Sequence, residues 1–354
     1  VILLLPKILT VSPFKEITCS EFLSLQHCVL KALGPRVSMS MPLADPVPTR
    51  ATIVGIFHHT AMELASSATS VDELDEWLER VIEATQAKVF SWPHLRALGA
   101  VSGWDEINQS FTLAIRFFRK RAGPSGEAMS RAENQLSSRD GLLVGRPDRF
   151  GVIRDRATLV DFKTSSASEI DRSSESKLVL QLKFYAALLR DNFGVDVIDA
   201  SIETLSGNRL ALRIVGSEAD EFGRYVRDSL RDCNDRVAAA AIASDLASPS
   251  TDACNYCKLQ PVCDTFKSKQ EELKLEGGQF VLDSPLRGIE SGESTDYLTA
   301  LFGLPFGSRK VRVVIPSGVA GDGMRTGRRY VITRLRKDAS GIYWTPMSQV
   351  FSGD

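Results

Sequence analysis

The sequence predicts an α/β protein with a central mixed sheet flanked by helices, followed by a small β module. Three observations carry this prediction. Apolar residues follow a helical period through the first third, then switch period to give the order helices, hairpin, helix, strands, helix. An apolar share of 43% in 354 residues supplies a substantial core and excludes a disordered or fibrous chain. Beyond residue 278 the pattern changes to short strands between Gly-rich turns.

Taken in order, residues 20–33 set Phe22, Leu23, Leu25, Val29 and Leu30 at helical spacing and stop before Gly34-Pro35. Residues 38–52 are Pro-rich loop. Helices are expected over 53–66, over 71–90 with Ser70 and Glu73 as a capping box, and over 104–121. Residues 142–150 and 158–162 are β-rich and flank Arg154-Asp155. A two-residue loop there sets position 148 opposite 161, which puts both acids on one sheet face with Lys163 two residues along. The turn lacks Asn-Gly, and Gly151 is expected to mark a bulge. A helix over 178–192, a strand-like stretch over 199–215 turning at Ser206-Gly207-Asn208, and a long helix over 218–244 complete the core.

A boundary falls near 278, after the charged stretch 267–274 and Glu276-Gly277-Gly278, giving domains 1–278 and 279–354. In the second, residues 310–315, 328–336 and 342–345 read as strands. Residues 309–337 hold nine Lys or Arg against one acid, Asp322, a composition suited to following a phosphate backbone. Tyr330, Tyr343 and Trp344 either stack on bases or fill a barrel interior, the interior being the commoner use.

Net charge is −1, so any nucleic-acid contact rests on local basic patches. The opening Val1-Ile2-Leu3-Leu4-Leu5 stops at Pro6, short of the roughly 20 apolar residues that span a bilayer, and carries no signal-peptide features. The expectation is a cytoplasmic protein with no membrane association. Six cysteines, with three grouped between 254 and 263, do not form a secreted disulfide framework and favour a metal site in a reducing compartment.

Asp148 in Gly145-Arg146-Pro147-Asp148 and Asp161 in Asp161-Phe162-Lys163 form the chemical centre. Magnesium takes hard oxygen ligands and commonly only one or two carboxylates, so two acids and an amine suffice for phosphodiester hydrolysis. Lys163 would orient the attacking water or stabilise negative charge on the phosphate. The plain alternative is a solvated Asp-x-Lys on an edge strand. His59 and Glu63 share a helix face, and His59 is either a further ligand or a helix residue bonded to Glu63. Gln181 and Tyr185 share a face of the helix after the hairpin, where they either hydrogen-bond a phosphate and position Lys183 or belong to an ordinary amphipathic helix, the better reading of the two. Cys254-x2-Cys257-x5-Cys263 with distant Cys28 supplies four thiolates without two close pairs, which sets an iron–sulfur cluster ahead of zinc. Cys19 and Cys233 read as unligated.

Together, in this order, these motifs resemble the RecB-like, iron–sulfur branch of the PD-(D/E)XK nuclease superfamily, typified by the CRISPR-adaptation exonucleases and the AddB nuclease domain. The resemblance spans about residues 19–266. Ser20-x-Phe22-x-x-Leu25-x-x-Cys28 is similar to the family's opening helix with its first cluster cysteine. Gly55-x-x-x-His59 with Glu63 is similar to its first motif, Gly145 to Asp148 to the metal-binding Asp strand, Asp161 to Lys163 to the D-x-K strand, and Gln181 to Tyr185 to the Q-x-x-x-Y helix.

The resemblance implies a restriction-endonuclease-like core, Mg2+ or Mn2+ on His59, Asp148, Asp161 and the Phe162 carbonyl, and Lys163 as the catalytic lysine. It implies a 4Fe-4S cluster on Cys28, Cys254, Cys257 and Cys263, and an extra acid at Glu133. The activity implied is an exonuclease on single-stranded DNA ends in repair, recombination, CRISPR adaptation or phage defence, with a helicase or integrase as possible partner. The chain departs from the family at Val29, where Pro often follows the first cysteine, and at Pro147, where an aliphatic residue is usual. The rival readings are a non-catalytic nucleic-acid-binding scaffold with a four-cysteine clasp and a zinc-stabilised restriction-type endonuclease.

Overall fold

The structure is a computed structural model, and it describes residues 2–4, 8–39, 129–132, 134–163, 176–204, 208–255, 257–270, 272–273, 275, 279–291, 297–303, 310–317, 324–338, 341–345 and 348–352, with positions 80, 83 and 87. The helices expected over 53–66 and 104–121 lie outside these residues, as does that over 71–90 except at helical positions 80, 83 and 87. His59, Glu63 and Glu133 lie outside them too. Contacts divide the chain into one unit of residues 15–23 and 47–231 and another of residues 1–14, 24–46 and 232–354. Among the described residues no helix is long and apolar enough to cross a membrane.

The first unit begins with Ile17–Thr18, paired in parallel with Leu143-Val144, and continues into helix α1 (Cys19–Leu25). Thr18 caps this helix, its N–H and hydroxyl both donating to the Glu21 carboxylate at 2.8 and 2.9 Å. The central sheet contains β1 (Met129–Ala132), β2 (Arg149–Ile153), β3 (Arg156–Lys163), β4 (Val197–Thr204) and β5 (Arg209–Val215), in the order β5-β4-β3-β2-β1. Only β3 and β4 are parallel. A parallel pair needs a long crossover, and helix α2 (Lys177–Phe193) lies in it. The Ser176 hydroxyl accepts from the Val179 N–H at 3.2 Å to start α2, and Gly194, at φ 69°, ends it. Helix α3 (Gly216–Ala239) follows β5 and stops short of the 218–244 span expected. This mixed sheet with flanking helices is the fold the sequence predicts.

The core is apolar where these elements meet. Phe22 of α1 packs on Phe184 of α2 and on Phe222 and Tyr225 of α3, with ring centroids 5.9, 5.7 and 5.8 Å apart. Phe150, Leu159, Ile198 and Ile202 of the sheet are buried with Leu182 and Leu188 of α2.

Three local expectations are corrected. Residues 142–150 are two strands, Leu143–Gly145 in a small separate sheet and β2 in the main one. Arg146, Pro147 and Asp148 make the break, where Pro147 has no N–H for a ladder. Gly151 marks no bulge, since β2 and β3 pair without a shift from Arg149–Val160 to Ile153–Arg156. Without Asn-Gly, the hairpin turn is made by Arg154 in the left-handed region, at φ 56°. Residues 20–33 are also not one helix: α1 ends at Leu25, and Val29–Ala32 starts a second short one.

In the second unit, β6 (Gln279–Ser291), β7 (Tyr297–Gly303), β8 (Lys310–Pro316), β9 (Arg329–Asp338) and β10 (Gly341–Tyr343) close into a ring. Neighbours pair antiparallel in the order β9-β6-β7-β8, β10 joins β8 in parallel, and β10 returns to β9 antiparallel. Leu282, Leu286, Ala300, Phe302, Val313, Ile315, Ile332 and Leu335 fill its interior. Tyr330 belongs to this interior, 1% exposed, with its hydroxyl accepting from the Arg325 N–H at 2.7 Å, so it is no stacking platform. Gln349–Ser352 pairs antiparallel with β9, and Ile2–Leu4 pairs in parallel with Gln349–Ser352.

Candidate active site

The unshifted β2–β3 register, continued by one position, sets Asp148 opposite Asp161 just before β2 begins. Both acids are buried, 4% and 2% exposed. The Phe162 N–H donates to Asp148 Oδ2 at 2.7 Å, which ties the turn-borne acid to β3. Asp161 meets a different partner on each oxygen: Gln181 Nε2 donates to Oδ1 at 2.7 Å, and Lys163 Nζ sits 2.6 Å from Oδ2. Strand alternation explains the Lys163 contact, since i and i+2 share a face. Lys163 is half-buried beside an acid that is almost fully enclosed. Asp148, Asp161, Lys163 and Gln181 are therefore brought together, and the plain edge-strand alternative does not apply: β3 lies between β2 and β4.

Helix α2 delivers Gln181 and, one turn on, Tyr185 to this face. The Tyr185 phenol is pushed far up by burial first, then by Cys19, Asp161 and Asp148 beside it, while a hydrogen bond with Gln181 works against this. It stays protonated. Gly145 explains how the helix comes so close: a Cβ at this position would stand 2.8 Å from Leu188 Cδ1 and 2.9 Å from Tyr185 Cε1. The glycine of the Gly-Arg-Pro-Asp run is thus a packing requirement of α2.

Cys19, read as a spare from sequence, lies beside this site. It is buried at the start of α1, and its thiol is pushed up to about 12, by burial first and then by Asp161, with Lys163 opposing. No sequence spacing links it to Asp161; the parallel pairing of Ile17–Thr18 with the strand ahead of Asp148 brings it there.

The donor set suits a hard divalent ion: two buried carboxylates in a site with one ammonium group. Among the described residues no three His, Cys, Asp or Glu side chains gather closely enough to hold one ion, and His59, the third side-chain ligand implied by the resemblance, is outside them.

Cys28, Cys254, Cys257 and Cys263 line one hollow in the second unit, with Lys31, Gln260 and Phe266. Cys28 occupies the helix break, its backbone extended at φ −160° and ψ 119°. The Ser248 N–H donates to Cys28 Sγ and the Phe266 N–H to Cys263 Sγ, both at 3.4 Å. Lys31 Nζ donates to the carbonyls of Asp252 and Asn255 at 3.4 Å, and Gln260 Nε2 to that of Cys254 at 2.7 Å, so the two sequence-distant segments are fastened together. Burial pushes the Cys254 thiol up and those of Cys257 and Cys263 to about 11, the neighbouring cysteines adding to each. Cys233 is buried within α3, outside this group.

Residues 18–264 match the model of the PD-(D/E)XK nuclease superfamily. A comparison with curated proteins finds no match. Among solved structures, a candidate exonuclease from Eubacterium rectale is similar over 64% of this chain and 83% of its own, at 11% identity and a TM-score of 0.38. The protein SSO0001 is similar over 60% and 96%, at 14% identity and a TM-score of 0.28. An alkaline exonuclease from Laribacter hongkongensis is similar over 51% and 92%, at 11% identity and a TM-score of 0.20.

Proposed function

The chain belongs to the PD-(D/E)XK nuclease superfamily, and from that membership we propose that it is a Mg2+- or Mn2+-dependent deoxyribonuclease of the RecB-like iron–sulfur branch, an exonuclease on single-stranded DNA ends. The observation that carries the reading is the buried pair Asp148 and Asp161 with Lys163 and Gln181 on Asp161. Two carboxylates at these burials need compensating positive charge, which Lys163 supplies to Asp161 and a divalent ion would supply to the pair.

Asp148, Asp161, the Phe162 carbonyl and His59 would hold the ion. When bound, it supplies Lewis-acid stabilisation of the phosphoryl oxygens and acidifies water. Lys163 orients the attacking water through Nζ and places positive charge where the phosphate gains negative charge. Gln181 fixes Asp161 in one rotamer, and Tyr185 stands protonated one turn along the same helix face. Asp148 is fixed from the other strand by the Phe162 N–H.

Cys28, Cys254, Cys257 and Cys263 would hold a 4Fe-4S cluster as a clasp between sequence-distant segments. Four thiols around one hollow, with N–H donors at two of the sulfurs, fit that group. We place the protein in the cytoplasm, in repair, recombination, CRISPR adaptation or phage defence, with a helicase or integrase as partner.

The test is digestion of an end-labelled single strand with Mg2+ or Mn2+. Asp161→Ala and Lys163→Ala abolish it while the brown chromophore of the purified protein persists; normal digestion by both variants would refute the active-site assignment. Cys254→Ala loses the chromophore and the stable fold, and a fully folded, fully active variant would refute the clasp.

A further inference from the structure

The closed ring of β6 to β10 has an outer face that the nuclease chemistry does not use. With the interior filled largely by apolar residues, strand alternation turns the alternate positions outward. The pairing Val314–Tyr343–Arg336 joins three neighbouring strands on this outer side. Arg312 stands two residues before Val314 and opposite Leu301, itself opposite Gly288. Arg287 lies flat across Gly303, where an added Cβ would stand 2.7 Å from its Nε. The turn ahead of β9 docks beside Arg287: the Gly327 N–H donates to the Leu286 carbonyl at 2.7 Å and the Leu286 N–H to the Arg328 carbonyl at 2.8 Å. Arg287, Arg312, Arg328 and Arg336 are all exposed, and Tyr343 is half-exposed among them.

Two acids with described side chains oppose this charge in the barrel. Asp283 is already held between Lys267 and Arg329, and Glu290 reaches Arg312 at 3.8 Å. The face is a curved row of guanidinium groups with one aromatic ring among them. That combination recognises a flexible phosphodiester strand, arginines tracking phosphates while a base stacks on the ring. Five-stranded barrels of this closed kind also bind oligonucleotides across their outer strands, although the fold alone decides nothing; charge complementarity does.

We propose that the outer face of the barrel, centred on Arg287, Arg312, Arg336 and Tyr343, is a second site for single-stranded DNA, separate in sequence from the hydrolytic residues. It rests on the nuclease reading in naming DNA as the strand. The face holds the substrate by its backbone, independent of base sequence.

The test is fluorescence anisotropy of a labelled oligothymidine about 20 nucleotides long, longer than the roughly 4–16 nucleotides one such barrel covers, with the full chain in EDTA so that no hydrolysis occurs. Each single-strand phosphate contact gives a salt slope of about 0.7 and contributes about fivefold in affinity at 0.1 M salt. Arg287→Ala with Arg312→Ala therefore weakens binding about 25-fold and lowers the slope by about 1.4. Glu290→Gln removes the counter-charge without touching the barrel interior and tightens binding severalfold, which keeps the proposal testable if the double variant misfolds. An undetectable wild-type complex, or unchanged affinity and slope in the variants, overturns it. Because binding is read without hydrolysis, a failed nuclease assignment leaves these outcomes readable, and a failed barrel site leaves strand digestion intact.

Discussion

Gln181→Ala removes the donor on Asp161 Oδ1, together with the Gln181 bond to Tyr185, from the proposed chemistry. The side chain donates to Asp161 Oδ1 at 2.7 Å, and Asp161 is 2% exposed, so water does not replace the lost donor. A hydrogen bond to a charged group is worth about 1.5–3 kcal/mol, and each 1.4 kcal/mol is a factor of ten, so the expected loss in kcat is about 10- to 150-fold. Helix α2 survives, because alanine is the best helix former. Since Gln181 acts through Asp161, the loss falls on kcat and on the Mn2+ concentration at half-maximal rate, and KM for the strand stays put. Single-turnover digestion of an end-labelled strand over a range of Mn2+ reads all three. Wild-type kcat and metal dependence in the variant would refute the positioning role, and so would a change confined to KM.

Three further outcomes follow from the geometry. Gly145→Ala drives a methyl group against Leu188 and Tyr185, which costs about 1–3 kcal/mol in urea unfolding and lowers activity by displacing α2; an unaffected variant would contradict the close packing. Arg154→Gly relieves a left-handed residue at φ 56° in the hairpin turn and raises stability by about 0.5–1 kcal/mol, whereas a loss would show that the turn differs. Burial raises the Asp140 carboxyl, but bonds from Arg227, Ser138 and the Leu142 N–H outweigh it and hold it at about 2, below the ordinary 3.8. A depressed carboxylate stabilises the fold above 3.8 and loses that contribution as pH falls towards 2. Wild type should therefore exceed Asp140→Asn by about 1 kcal/mol near neutrality, allowing for its partial exposure, with the gap closing by pH 2; a gap that persists at pH 2 would contradict the charge pairing.

The hairpin was the most legible part of the sequence. A two-residue loop and a period of two are enough to set 148 against 161 and Lys163 beside Asp161, and the ladder has that register. The helix over 178–192 was legible from its apolar period and differs by one residue at each end from Lys177–Phe193. The break at Cys28 was not, because local propensity favours a continuous helix; contacts to Ser248 and to residues 252–255 from far along the chain stabilise the break. Strands β6 and β7 were also missed. β6 carries Asp283, Pro285 and Gly288, all poor strand formers, and its ladder shifts near Leu282 and Gly288 to accommodate them. Gln181 looked like an ordinary helix residue because a hydrogen bond across twenty positions leaves no trace in periodicity.

The central claim is that Asp148 and Asp161 jointly hold the ion that makes Lys163 catalytic. Calorimetric titration of Mn2+ into wild type and Asp161→Asn, paired with strand digestion by the same samples, tests it most directly. One strong Mn2+ site in wild type that disappears together with digestion in Asp161→Asn is the predicted result. Digestion that persists in EDTA, or a variant that binds Mn2+ and digests DNA as wild type does, would contradict it.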